Sequence, residues 1–181
     1  RAGTLASTSR ARLRYARTTP TAARKPPHAM PRDALHTVPE SLRGFLAITE
    51  IDDAELLVGA LFRRKFAAPP PDVGHHLVAL HRDAGGALRV AGYSHMRAFG
   101  DVFLSGGSCS DGDTIRAMPP EHLRAIQSAG GIWYLILKYA FAHHADDCDA
   151  FFGHCGDPRA LEVATAAGFV PAGPRHLIVH W

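Results

Sequence analysis

The 181-residue sequence lacks the features that define membrane proteins, disulfide-stabilised proteins and disordered chains. No uninterrupted apolar run approaches the roughly 18 residues that a membrane span needs, because Lys138 and two histidines interrupt the best candidate, residues 130–145. Only three cysteines are present, in an odd number and without regular spacing, which argues against a disulfide framework. Since 46% of the residues are hydrophobic, we expect one soluble globular domain in a reducing compartment, the cytoplasm.

Acidic residues are missing from the first 32 positions. That segment carries eight basic residues and no Asp or Glu, whereas the remainder has 12 basic and 17 acidic residues. The formal net charge of +3 is therefore the sum of a tail at +8 and a body at −5. An acidic body does not favour polyanions, so nucleic acid is an expected partner only if the basic tail is native.

The tail, residues 1–38, is rich in Ala, Thr, Ser, Arg and Pro and has no apolar period, which predicts disorder. Three interpretations stay open for it. It is typical of an organelle transit peptide, it is typical of a basic arm for phosphate backbones, or the part before Met30 is not native. In the last case the protein has no targeting segment and is cytoplasmic. We expect residues 39–181 to form a single domain.

Hydrophobic periodicity and turn residues after position 39 predict strands alternating with helices. Leu88 to Arg97 follows a Gly-containing turn, so the middle strands read as an antiparallel meander. Residues 132–143 are apolar on nearly all sides, which predicts a helix buried against a sheet. The expected strands are residues 44–49, 77–81, 88–97, 102–109, 150–153 and 176–181, and the expected helices are residues 53–65, 119–128, 132–143 and 158–167.

The segment from Asp157 to Phe169 resembles the GNAT superfamily of N-acetyltransferases. The last conserved region of that superfamily reads Asn-x-x-Ala-x-x-Leu-Tyr-x-x-x-Gly-Phe after a strand. The corresponding positions here are Asp157, Ala160, Val163, Ala164, Gly168 and Phe169. Asp replaces the family's Asn, and Ala164 replaces its Tyr. The order of elements over residues 44–181 also resembles this superfamily, with one helix missing from the usual pair after the first strand.

The resemblance implies a mixed, mostly antiparallel α/β sheet with helices on both faces. It also implies that the fourth and fifth strands splay apart and that the pantetheine arm of an acyl-CoA pairs with the fourth. Acetyl-CoA would then be the acyl donor, and a small-molecule or protein amine the acceptor. The cofactor contacts that follow are Leu104, Ser105, Gly106, Gly107, Gln127, Gly130, Gly131 and Asp157.

Residues 127–132 resemble the family's cofactor loop, in which Gln127 and Gly130 supply the first and fourth positions. A Gly-rich turn at a helix N-terminus allows backbone N–H groups to approach a pyrophosphate. The alternative is that Gly130 and Gly131 only join two helices. Arg116 and Arg124, just upstream, are the expected basic spot for the phosphates of coenzyme A.

Two glycines, Gly106 and Gly107, interrupt the predicted fourth strand. Glycines inside a strand weaken it unless a ligand or another backbone approaches closely, as a bound pantetheine would. A β-bulge or a turn explains the same pair of glycines equally well.

The expected catalytic groups come from the ends of the two splayed strands. Amine acylation needs a base for the amine proton, a donor for the leaving thiolate and a polarised carbonyl. In the family a Tyr is usually the thiolate donor, and Ala164 has no such proton. The substitutes are Ser108, Cys109 and Asp111 after the fourth strand and His154 after the fifth. His154 has a suitable intrinsic pKa for a base, but it is also typical of a loop histidine bonded to a carbonyl.

We expect no metal. The sequence has no Cys-x-x-Cys or His-x-x-x-His spacing. Neighbouring histidines such as His143 and His144 project about 100° apart on a helix, so they do not share a metal easily. The pair His75 and His76 meets the same difficulty. The sequence thus favours an acyl-CoA-dependent N-acyltransferase, and the alternative is a non-catalytic GNAT-fold module that binds an acyl-CoA or another partner.

Overall fold

The computed structural model of the protein describes residues 37–181. The basic tail expected at residues 1–38 therefore lies outside the described residues, apart from its last two. Within residues 37–181, no helix is long and apolar enough to cross a membrane.

Seven strands and five α-helices follow a short 3-10 helix at Glu40–Leu42. In chain order the elements are β1 (Leu46–Ile51), α1 (Ala54–Phe66), β2 (His75–Arg82), β3 (Leu88–Phe99), β4 (Val102–Ser110), α2 (Gly112–Arg116), α3 (Pro120–Ser128), α4 (Ile132–His143), β5 (Ala150–His154), α5 (Pro158–Ala167), β6 (Val170–Pro171) and β7 (Leu177–His180).

The strands form one sheet in the order β1-β2-β3-β4-β5-β7-β6. Only β4 and β5 run parallel, and all other neighbouring strands are antiparallel. This architecture confirms the expected mixed, mostly antiparallel sheet, with a single helix between the first two strands. The short elements α2 and β6 were not anticipated from the sequence.

The two faces of the sheet pack against different helices, because alternate side chains of a strand point in opposite directions. On β2, Leu77 and Ala79 belong to the larger core cluster, which includes the apolar residues of α4. Val78 lies between them in sequence and packs in a second cluster with Val58 and Phe62 of α1. Helices therefore cover both faces, as expected.

Helix α4 approaches the sheet closely over β3. A Cβ atom on Gly92 would lie 2.5 Å from Cγ2 of Ile132, which is nearer than real carbon atoms come. Position 92 therefore requires glycine, and the first residue of α4 is seated directly against the sheet. Further along the helix, residues 135–137 and 139–141 are also buried, which explains its apolar composition.

Replacing Leu137 tests how much this packing stabilises the fold. Leu137 is fully buried, so Leu137→Ala should lower the free energy of unfolding by about 2–5 kcal/mol through lost burial and a residual cavity. Leu56, on the exposed side of α1 with 80% of its surface accessible, is the matched control. Leu56→Ala should change the free energy by about 0.5 kcal/mol or less. Urea denaturation measures both, and equal effects would contradict the assigned core.

Candidate functional site

The pairing between β4 and β5 stops partway along β4. The parallel ladder joins Val102–Ser105 to Ala150–Gly153 and goes no further, although β4 continues to Ser110. The two strands therefore diverge, as the resemblance implied. A cleft of about 680 Å³ lies at this point.

The cleft is lined by both strands and by three helix ends. The end of α1 contributes Lys65 and Phe66, the first turn of α4 contributes Trp133, and the first turn of α5 contributes Arg159 and Ala160. The remaining lining residues are Ser105, Gly106, Gly107, Ser108, Cys109, Ser110, Gly153, His154, Cys155, Gly156, Asp157, Phe169 and Ile178.

A β-bulge interrupts β4 inside the cleft. Tyr93 pairs with Cys109 and His95 pairs with Gly106, so two steps on β3 correspond to three on β4. Gly107 has a φ of +65°, and a Cβ there would lie 3.0 Å from the ring of Phe62. The positive φ favours glycine, and any larger residue would also have to push the Phe62 ring aside. The β-bulge, which was one of the two explanations for Gly106 and Gly107, is therefore present, and both glycines line the cleft.

Of the twelve catalytic and cofactor-contact candidates named from the sequence, seven meet in this cleft and five do not. Those in the lining are Ser105, Gly106, Gly107, Ser108, Cys109, His154 and Asp157. Those outside it are Leu104, Asp111, Gln127, Gly130 and Gly131.

Asp111 is occupied by structural hydrogen bonds. Its side chain caps α2 by accepting the N–H of Asp113 at 3.0 Å. The same carboxylate accepts a hydrogen bond from Arg64 at 3.0 Å. A carboxylate held by two donors outside the cleft is not placed to take a proton from a substrate there.

The backbone N–H groups of Gly130 and Gly131, in the loop before α4, are hydrogen-bonded to the preceding helix. Gly130 N–H donates to the carbonyl of Gln127 at 3.1 Å, and Gly131 N–H donates to that of Ile126 at 2.9 Å. Both glycines have positive φ, which suits this way of ending a helix. The N–H groups that remain for a phosphate are those of the first turn of α4, where Trp133 lines the cleft.

Trp133 carries an unsatisfied donor. Its indole N–H is buried and has no hydrogen-bond acceptor among the described residues. A buried donor without an acceptor is costly, so the position of the Trp133 ring is one that other contacts must hold in place.

His154 is the last residue of β5 and Cys155 follows it, and the two side chains differ in exposure. His154 is exposed, and its ring centroid lies 5.4 Å from that of His176. Cys155 is buried, and burial raises the pKa of its thiol. Cys155 is therefore a protonated thiol at neutral pH, as is typical of an ordinary buried cysteine.

Ser108 and Cys109 are the two catalytic candidates on β4. The hydroxyl oxygens of Ser108 and Ser94 lie 2.7 Å apart and share a hydrogen bond. Burial raises the pKa of the Cys109 thiol from 9.0 to about 11. A thiol with that pKa does not act as a nucleophile at neutral pH, because the thiolate is almost absent.

The cations of the cleft are not those that sequence reasoning selected. Arg116 forms an ion pair with Asp113, and neither Arg116 nor Arg124 lines the cleft. Lys65 and Arg159 do. Lys65 reads in sequence as the basic end of an amphipathic helix, and only the meeting of α1 with β4 shows that it reaches the cleft.

Comparison with solved structures finds N-acyltransferases and N-acetyltransferases. An acyl-CoA N-acyltransferase from Pseudomonas aeruginosa is 14% identical with a TM-score of 0.47, over 75% of this chain and 99% of that one. A chimera of the Vibrio cholerae spermidine N-acetyltransferase SpeG and hSSAT is 12% identical with a TM-score of 0.44, over 75% and 94%. A ribosomal-protein-alanine N-acetyltransferase from Escherichia coli is 12% identical with a TM-score of 0.40, over 74% and 89%.

These neighbours are of the class that the Asp157–Phe169 segment resembles. No protein-family model and no curated protein matches the sequence. At such identities and TM-scores, the similarity does not extend to a substrate or a reaction.

The pKa of Cys109 can be tested by alkylation. In a chain that carries Cys148→Ser and Cys155→Ser, Cys109 is the single thiol. A shift of the thiol pKa from 9.0 to about 11 makes its reaction with iodoacetamide at pH 8 about 100-fold slower than that of an ordinary thiol. The rate should rise about tenfold for each pH unit up to pH 10 while the chain stays folded. The same variant in urea is the control, and equal rates in the two states at pH 8 would contradict the shift.

Proposed function

We propose that this protein is an acyl-CoA-dependent N-acyltransferase that moves an acetyl group from acetyl-CoA to an amine. The observation that carries the proposal is the unpaired stretch of β4 facing a cleft, where the ladder with β5 ends after Ser105. A pantetheine arm is extended and contains amide groups. It can therefore pair with the free edge of β4 as an additional strand would.

The bulge supports the placement of the thioester. Gly107 and Ser108 form the bulge and have no partner residue in the register of β4 with β3. A backbone N–H aimed at the thioester carbonyl stabilises the negative charge that develops on its oxygen during attack.

The phosphates of coenzyme A have two sources of positive potential in the cleft. Lys65 and Arg159 supply full charges. The N-terminus of α4 adds N–H groups that have no partner within the helix, together with the favourable end of its dipole. Asp157 also lines the cleft, but its side chain caps α5 by accepting the N–H of Ala160 at 2.7 Å.

The chemistry needs few groups. The amine nitrogen attacks the thioester carbonyl, the new C–N bond forms, the C–S bond breaks, and the amine proton is passed on so that the coenzyme leaves as a thiol. His154 is the candidate base, because it is exposed, lines the cleft and carries an imidazole that can accept the amine proton. Ser108 is the candidate proton donor to the thiolate, in hydrogen-bond contact with Ser94.

A non-catalytic acyl-CoA-binding module is the second candidate. The lack of a proton donor at position 164 favours it. Ala164 is fully buried in α5 and carries no transferable proton. Both candidate functions include binding of an acyl-CoA in the cleft, and only the enzyme transfers the acyl group. All three cysteines are free thiols, which supports a reducing compartment, the cytoplasm, for either activity.

Calorimetric titration with acetyl-CoA, followed by a thiol-release assay over a panel of small-molecule and peptide amines, tests the proposal. One binding site per chain together with release of the coenzyme thiol supports an enzyme. Binding without thiol release from any amine supports the module. The absence of acetyl-CoA binding would overturn both candidates.

The cleft cations give a sharper prediction. Lys65→Ala and Arg159→Ala should each weaken acetyl-CoA binding about tenfold, because each removes a charged contact with a phosphate. Arg89→Ala is the matched control, since Arg89 is exposed in the β2–β3 hairpin and pairs with Asp83. The measurement is the same titration, repeated at low and high salt. Equal affinity in all three variants would show that the phosphates bind elsewhere.

A further inference from the structure

Three side chains with metal-ligand chemistry lie together away from the cleft. Glu50 is on β1, His75 is the first residue of β2, and His144 directly follows α4. The cleft touches α4 at Trp133, 11 residues earlier, which corresponds to about 17 Å along the helix axis. Anything that this cluster binds is therefore separate from the acyl-CoA site.

The three ligand atoms are close enough to share one ion. Each residue offers one such atom, and all of them lie within 4.8 Å of one another. Nδ1 of His75 is 2.6 Å from Oε1 of Glu50, and Nε2 of His144 is 3.5 Å from Oε2 of the same carboxylate. Around a tetrahedral zinc ion with bonds of about 2.0–2.1 Å, neighbouring ligand atoms lie about 3.4 Å apart. The contact between His144 and Glu50 already has this spacing.

His144 is oriented as a metal ligand is. Its Nδ1 lies 2.9 Å from Oδ2 of Asp147, and a proton on Nδ1 donates to that carboxylate. The neutral ring then has its lone pair on Nε2. That nitrogen is buried and has no hydrogen-bond partner among the described residues, in a side chain that is only 7% exposed. A carboxylate that fixes the tautomer of a histidine from behind is the usual support of a histidine bound to a metal.

The charges around the cluster suit a divalent cation. Glu50 and Asp147 bring two negative charges, and within residues 37–181 no Lys or Arg forms an ion pair with either of them. Their observed ionic partners are histidines, which are neutral when they ligate a metal. A bound divalent ion would balance both carboxylates.

The surroundings leave the site open on one side. Phe103 packs against both imidazoles, with ring centroids 4.9 Å from His75 and 5.1 Å from His144. This apolar wall limits the movement of the two rings. Glu50 and His75 retain 36% and 31% of their side-chain surface, so an ion and a water molecule can enter from solvent.

We propose that Glu50, His75 and His144 bind one divalent transition-metal ion, that zinc is the ion the set fits best, and that Asp147 positions His144. Two imidazoles and one carboxylate form a zinc ligand set that keeps its fourth position for water. Binding requires that Nδ1 of His75 release the proton of its hydrogen bond with Glu50 to solvent, and that the contact lengthen from 2.6 Å to about 3.4 Å, which rotation of the exposed carboxylate allows.

The expectation that no metal binds rested on the histidine pairs taken one at a time. The cluster takes His75 from one pair and His144 from the other. Their neighbours are engaged elsewhere: His76 is hydrogen-bonded to the hydroxyl of Tyr93, and His143 stacks on Tyr139. The argument against neighbouring histidines holds within each pair but does not apply between the pairs.

Zinc titration of the whole chain tests the proposal. The protein is stripped with a chelator and titrated with ZnCl2 against a chromophoric competitor, and we expect one tight equivalent per chain. Cobalt in place of zinc should give the visible absorption of a tetrahedral complex. Zinc should also raise the thermal midpoint of unfolding, since it binds the folded state preferentially.

Variants locate the site. Glu50→Gln, His75→Gln and His144→Gln should each abolish the tight equivalent, and Asp147→Asn should weaken it about 10- to 100-fold. His143→Gln is the matched control and should retain the full affinity. Circular dichroism without metal verifies folding. If His144→Gln does not fold, the variants at Glu50 and His75, which are more accessible, still test the site.

Two outcomes would overturn the proposal. One is the absence of a tight equivalent in the unaltered chain. The other is tight binding that persists in Glu50→Gln and His75→Gln, which would assign the ion to other residues among the twelve histidines of the sequence. Neither outcome depends on acetyl-CoA, so this test and that of the acyltransferase succeed or fail separately.

Discussion

Helix α4 lies directly against the sheet because β3 has a glycine at position 92, and the positions of both candidate sites depend on that contact. Any side chain there would displace Ile132 and lift the first turn of the helix. With the N-terminus seated, Trp133 forms a wall of the cleft. Because a helix is rigid, the same contact places the other end, where His144 meets Glu50 and His75. The glycine at position 92 thus helps to position residues of both candidate sites, Trp133 at one end of α4 and His144 at the other.

The cleft and the metal-ligand cluster differ in what holds them. The cleft exists because two strands stop pairing, so an unpaired edge of backbone forms one of its walls. The cluster is built from side chains alone, brought together by the register of β1 and β2 and by the end of α4. The cleft accordingly suits an extended ligand that uses amide hydrogen bonds, whereas the cluster suits a small ion.

Sequence reasoning recovered the parts of the fold that depend on local patterns. Helix α4 has the predicted bounds, because its apolar composition on all sides is visible in twelve residues. The cleft positions on β4 followed from a resemblance to known sequences. Lys65, Arg159 and the cluster of Glu50, His75 and His144 were missed, because their proximity depends on contacts between elements far apart in sequence. The loop at Gly130 is the opposite case, a phosphate site that the sequence resemblance suggested. Its N–H groups donate to carbonyls at the end of α3, which only the three-dimensional structure shows.

The free edge of β4 also bears on how the protein behaves in solution. Unpaired strand edges usually invite pairing with other chains and lead to aggregation. Here the free edge, from Gly106 to Ser110, is recessed between β5 and the helix ends that carry Lys65 and Arg159. A strand of a second molecule would have to bring its own side chains into this cleft of about 680 Å³ in order to pair with the edge. The recess therefore disfavours pairing with other protein chains and leaves the edge accessible to a small ligand.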